Sequence, residues 1–175
     1  VTWFYVSDDN TATDGNPEPD SYVSYNYRDN CWSIGTISRN CWFDSFGFRK
    51  VPFAFSSSGL LYNHESGTDD AGSAISAHIT SSPIEIDSAG NNLMLVDKII
   101  PDITMTGSLS CTVLSKKYPN DSTITKGPFT IQSDTAKISM RSRGRQVSLK
   151  LESTSLGDSW SFGDFRMNSR QDGLR

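Results

Sequence analysis

The sequence predicts an all-β protein, and three observations carry that prediction. Apolar and polar residues alternate with period two in segment after segment, as in SYVSYNY (21–27), LSCTV (109–113) and RQVSLKLES (145–153). Clusters of Gly, Pro, Asn, Asp and Ser separate those segments at short intervals. No stretch combines a 3.6-residue apolar period with helix caps. The architecture expected is a partial β-propeller-like blade region over 1–72, followed by a small β-sandwich-like or jelly-roll-like domain over 73–175.

The elements follow in chain order. Residues 3–6 read as a strand. Residues 7–20 (SDDNTATDGNPEPD) carry five acids, two prolines and no base, which makes a long exposed loop. SYVSYNY, the turn Arg28-Asp29-Asn30 and CWSIGTI (31–37) form a hairpin whose aromatic side chains can meet across strands. VPFAF (51–55), SSSG and LLYNHE (60–65) form another strand–turn–strand, and ESGTDDAG (65–72) reads as a linker. Four or five strands in 1–72 do not close a core alone, and Trp/Tyr-rich hairpins of this size resemble one blade plus part of another.

Beyond Gly72 the strands are denser, about seven of them. Ile75, Ala77 and Ile79 share one face, and Ile84 and Ile86 continue after Pro83. Leu93-Met94-Leu95-Val96 is a continuous apolar run, expected of a strand covered on both faces. TAKISM (135–140), RQVSLKLES and WSFGDFRMN (160–168) complete the set. Two register changes are visible. Ile138 and Met140 are even-numbered whereas Val147, Leu149 and Leu151 are odd, with Gly144 between. Trp160 and Phe162 are even whereas Phe165 and Met167 are odd, with Gly163 between. A one-residue shift turns every side chain over, so each glycine marks a bulge or kink, and Arg141 and Arg143 point away from the core.

Composition limits the function classes. The 175 residues are 35% hydrophobic, 11% aromatic and 21% charged, enough for one ordinary domain or two small ones. No run approaches the roughly 18 to 20 apolar residues of a membrane-spanning helix, so no membrane span is expected. The opening lacks the basic-then-apolar form of a signal peptide, and a start at Val1 inside a strand-like run reads as part of a longer protein. The net charge of −4 is unlike a free-standing nucleic-acid binder. That charge is uneven: residues 126–175 hold nine Lys/Arg against five Asp/Glu, and residues 1–125 hold seven against fifteen. Such a bipolar chain suits an oppositely charged neighbour, although solvated faces give the same count.

The side chains that carry chemistry are sparse. Cys31, Cys41 and Cys111 lack metal-site spacing and read as free thiols from a reducing cytoplasm, Cys111 being a small core residue. His64 stands beside Glu65, a pairing that can serve as base and orienting carboxylate but equally closes a strand with polar residues. His78 falls on a polar face. Asp8-Asp9 and Asp69-Asp70 lie in loops, and Asp8, Asn10 and Asp14 offer calcium-type oxygens without EF-hand spacing. Neither a GxSxG elbow nor a phosphate-binding glycine loop is present. No enzyme, metal or cofactor is expected. Trp3, Trp32, Trp42 and Trp160, with six tyrosines, could form a stacking platform for sugars or simply pair across strands. Arg141, Arg143 and Arg145 form the one basic cluster, suited to a subunit, to DNA phosphate, or to guarding a sheet edge.

Several segments together resemble the C-terminal part of tailed-phage nozzle and tail-hub proteins, the packaged-DNA stabilisation or tail tubular proteins of short-tailed phages. They are YNYRDNCWSIGTISRNCWFD (25–44), GLLYNHESGTDD (59–70), VDKIIPDI (96–103), KGPFTI (126–131), RSRGRQVSLKLES (141–153) and WSFGDFRMNSRQDGLR (160–175). The resemblance implies a propeller-like domain followed by a β-sandwich-like region. It also implies a homo-oligomeric ring, often six-fold, in the virion tail, adjoining other tail or portal-adaptor proteins. Such a ring retains packaged double-stranded DNA and passes it on ejection. It brings no catalytic residues. The alternative is a carbohydrate-binding β-sandwich module of a receptor-binding tail protein. A hydrolase on a propeller scaffold is a weaker third.

Overall fold

The computed structural model describes residues 1–10, 17–87 and 90–174. Asp14 of the calcium-type loop and the final Arg175 lie outside the described residues. The chain is all-β, with fifteen strands in five antiparallel sheets among the described residues. No helix there is long and apolar enough to cross a membrane. Two compact units divide at Gly67/Thr68, against the expected 72/73.

Unit 1 holds two three-stranded sheets. β1 (Thr2–Tyr5), β2 (Ser21–Asn26) and β3 (Cys31–Thr36) form the first. The β2–β3 turn is set by Asn26, whose side-chain oxygen accepts from the Arg28 N–H at 3.0 Å, and by Asn30 at φ 52°. Register places Trp3, Val23 and Ile34 in one row and Tyr25 beside Trp32 on the same face. Phe4, Tyr22 and Gly35 form a row on the opposite face. The Tyr22 ring lies directly over Gly35, where a Cβ would stand 2.6 Å from its hydroxyl oxygen. β4 (Cys41–Phe43), β5 (Phe53–Phe55) and β6 (Leu61–Asn63) form the second sheet, with Trp42, Ala54 and Tyr62 in one row. The ring contact between Phe4 and Trp42, 5.4 Å between centroids, joins the two sheets.

Unit 2 begins with a small hairpin. The end of the stretch expected as a linker (65–72) is instead strand β7 (Asp69–Asp70), which turns through Ala71 and Gly72, at φ 51° and 87°, to pair with β8 (Ser73–Ala74). Two positive φ angles are what a two-residue turn of the right twist demands. The rest is two facing sheets. One has the order β13 (Ile138–Gly144), β10 (Met94–Thr106), β15 (Ser159–Gln171). The other has the order β12 (Ile124–Ile131), β11 (Leu109–Lys116), β14 (Gln146–Ser153), β9 (Ala77–Thr80). Their inner faces share one core that includes Met94, Val96, Ile99, Leu109, Val113, Val147 and Leu149.

Both register changes are present, by different devices. Gly163 and Asp164 together oppose the single Asp102, a bulge that keeps Phe162 and Phe165 both on the core side. At Gly144 the chain leaves one sheet for the other: β13 pairs with β10, and β14 pairs with β11. The parity switch is therefore a change of sheet rather than a bulge in one strand. A Cβ on Gly144 would lie 2.8 Å from the Lys116 carbonyl oxygen, so the crossing needs glycine. Residues 93–96 are all buried, as the continuous apolar run implies. Three expectations shift. β13 starts at Ile138 rather than 135, Ile84 makes only an isolated bridge to Val147, and Ile75 and Ile79 stay about half exposed on or beside the edge strand β9.

Candidate functional site

The basic cluster is largely bound to its own chain. Arg141 and Arg143 do point outward from β13, while Ser142 between them is buried. Arg143 forms a 2.6 Å ion pair with Asp172 and donates to the Asp172 carbonyl at 2.8 Å. Arg145 donates to the carbonyls of Lys117 (3.1 Å) and Leu174 (2.9 Å) and covers the Tyr118 ring at 4.8 Å. Asp172 and Gly173 in turn exchange backbone bonds with Leu93. Arg143 and Arg145 thus clamp residues 172–174 onto the sheets. Arg141 alone of the three is exposed without such a partner among the described residues. This clamp was invisible in sequence, since its partners are about thirty residues apart and two of its three contacts go to backbone carbonyls.

His64 directly follows strand β6. Its Nε2 accepts from Arg39 Nε at 3.2 Å and its ring packs on Trp42 at 4.5 Å. Arg39 also lies over the Tyr62 ring at 4.4 Å. His78 is exposed opposite Glu152. Among the described residues no group of three His, Cys, Asp or Glu gathers, at Asp8-Asp9, at Asp69-Asp70 or elsewhere. Cys31 and Cys41 are free and exposed, and Cys111 is free and buried. Burial pushes the Cys111 thiol up to about 11, which leaves it protonated at neutral pH.

Two carboxylates are tuned by local bonds. Ser7 donates its hydroxyl (2.6 Å) and its N–H (2.8 Å) to Asp20, holding that carboxyl below its ordinary value and tying residue 7 to residue 20. Desolvation pushes Asp87 up, but hydrogen bonds from the Asn92 side chain and the Asn91, Asn92 and Gly90 backbone outweigh it and leave the carboxyl lowered.

The largest unexplained feature is the surface of unit 1. Only Ser21 and Ala54 are buried there among the described residues. The outer face of the first sheet carries Val1, Trp3, Tyr5, Trp32 (63% exposed) and Ile34 (78% exposed). The outer side of the second sheet carries Phe43, Phe55 and Leu61, with Phe46 and Phe48 beside it, Phe48 being 89% exposed. These side chains pair sideways: Trp32 with Tyr25 at 4.5 Å and Trp3 at 6.1 Å, Phe43 with Phe53 at 5.0 Å. Soluble proteins seldom leave contiguous apolar area of this kind without a partner. Period two in the sequence placed the aromatics correctly on alternate faces, yet it cannot say that both faces of a sheet need cover. β4 escaped the reading altogether, being a run of three residues between Asn40 and Asp44.

No family model matches the chain, and no curated protein matches it either.

Proposed function

We propose that the chain is a structural protein of a short-tailed phage tail, a nozzle or hub component of the ring-shaped conduit that retains and passes packaged DNA. Unit 1 acts as stacked, blade-like sheets, and unit 2 as the β-sandwich-like domain that closes on itself. The observation that supports this is the apolar dressing of both outer sides of unit 1. A sheet in a radial stack is covered on both faces, and an isolated two-sheet module is not. A cyclic ring uses unlike surfaces at each joint, which fits the acidic first 125 residues and the basic last 50. Arg143 and Arg145 are held by carbonyl and carboxylate oxygens of their own chain, which suits a conduit, because loose Lys and Arg would hold the phosphate backbone.

Immunogold labelling of virions with antibody raised against this chain tests the assignment. Label at the tail is the expected result, and virions without label in material that contains the protein overturn it.

A second reading, a carbohydrate-binding tail module, rests on Trp32. Its indole is 63% exposed over the half-buried Tyr25, beside a polar turn of Asn26, Arg28, Asp29 and Asn30. A glycan array with intrinsic-fluorescence titration separates the two. Saturable quenching by a sugar, lost in Trp32→Ala, favours the receptor-binding module, and no response favours the packed stack.

A further inference from the structure

We propose that unit 2 contains a binding site for a small, uncharged apolar molecule, no larger than a single benzene-sized ring, between its two sheets. A cavity of ≈ 100 Å³ lies there, walled by Ile99, Ile103, Ile131, Leu149, Phe162 and Phe165, with Cys111 on its floor.

The topology explains the space. β13 pairs with β10 only as far as Ile99, while β10 and β15 run on together to Thr106 and Ser159. Over residues 100–106 one layer is therefore two strands wide while the other keeps its four. The missing width is not an invitation to a further strand. Pro101 sits on that free edge of β10 and has no N–H to offer a neighbour.

The chemistry of the wall decides the ligand. Ser81 is the polar residue best placed to bind, and it is spent. Its N–H donates to the Leu149 carbonyl at 2.9 Å, its hydroxyl accepts from the Leu149 N–H at 3.0 Å, and the same hydroxyl donates to Ser82 at 2.9 Å. The Cys111 thiol is uncharged and a weak hydrogen-bonding group. Thr80 stands exposed at the rim. A water needs two to four polar partners and would not find them here, and a charged ligand would be stripped of solvent with nothing in return. An enclosed cavity of about 150 Å³ lined by Leu, Ile and Phe stays dry and takes benzene or xenon, and the walls here are mostly of the same side chains around a smaller space. Entry is cheap. Ile79, 47% exposed, forms the lip on the edge strand β9, so its side chain can swing without breaking a strand pair.

The test uses the 175-residue chain with benzene, xenon and benzoate as probes, read by methyl NMR and thermal melts. Benzene and xenon should shift the methyl signals of Ile99, Ile103, Ile131 and Leu149 saturably and raise Tm, since a ligand of the folded state alone stabilises it. Benzoate should do neither. Cys111→Leu fills the floor and should abolish both effects. If that variant does not fold, Ile79→Trp, at an exposed lip, should slow exchange of the probe at least several-fold. Absence of saturable shifts up to the solubility of benzene, equal binding of benzoate, or unchanged shifts in Cys111→Leu would each overturn the proposal.

Discussion

Units 1 and 2 are written in the same sequence grammar and reach opposite ends. Both alternate apolar and polar residues along antiparallel strands. Unit 2 turns two sheets toward each other and removes Leu109, Val113, Val96 and Val147 from water almost completely. Unit 1, with more aromatic residues, buries only Ser21 and Ala54 among its described residues. Burying a large aliphatic side chain contributes about 1.5–3 kcal/mol, so unit 2 has an internal source of stability that unit 1 largely lacks. The difference teaches that aromatic content is no measure of core. Rings that stack on one another at the surface leave their outward faces for something else.

The sharpest way to break this comparison is a core truncation. Leu109→Ala, at a fully buried site, should destabilise unit 2 by roughly 3 kcal/mol in a denaturant melt. A cost below ~1 kcal/mol would mean that unit 2 has no dominant core. Trp160→Ala should cost about 2 kcal/mol. Its indole is half-buried and donates to Ser153 Oγ at 2.9 Å, so the loss falls below the 3–5 kcal/mol or so of a fully enclosed ring. Gly144→Ala should cost on the order of 1–2 kcal/mol, because the new methyl meets the Lys116 carbonyl at the sheet crossing. A neutral result would place the crossing elsewhere.

Smaller effects sharpen the comparison from the other side. Arg143→Ala removes a half-exposed ion pair and should cost under ~1 kcal/mol, while amide exchange at Leu93 and Asp172 quickens. Unchanged exchange would remove the tail clamp. Ile34→Ser, at 78% exposure, should leave the melt of the isolated chain within about 0.5 kcal/mol, and under the proposed ring it should weaken self-association. Lower stability without any change in self-association would argue that the face is not a contact surface. The pH test concerns the Ser7–Asp20 contact. Asp20 titrates below its ordinary 3.8 in the folded chain, so its bonds to Ser7 support the fold above that value. They are lost as pH falls through the lowered folded value. Protection of the Ser7 amide should drop there and should already be absent in Asp20→Asn at neutral pH.

Much of this was legible along the chain. Period two is a local consequence of strand geometry, so class, hairpins and the outward direction of Arg141 and Arg143 could be read residue by residue. Parity also exposed the breaks at Gly144 and Gly163. It could not tell a bulge from a change of sheet, because both turn the side chains over. Short elements such as β4, and the β7–β8 turn with alanine in a left-handed conformation, carry too few residues for a pattern to emerge.

The amino-acid order by itself determined which residues alternate, where glycine interrupts them and how charge divides between the two ends. Only the tertiary structure decided that Arg143 and Arg145 hold the tail, that β13 stops short and opens a cavity, and that the aromatic faces of unit 1 stay uncovered. Those outcomes depend on which strands become neighbours. Neighbourhood is set by long-range packing, in which backbone carbonyls and sheet edges matter as much as side-chain identity, and neither leaves a mark in a one-dimensional pattern.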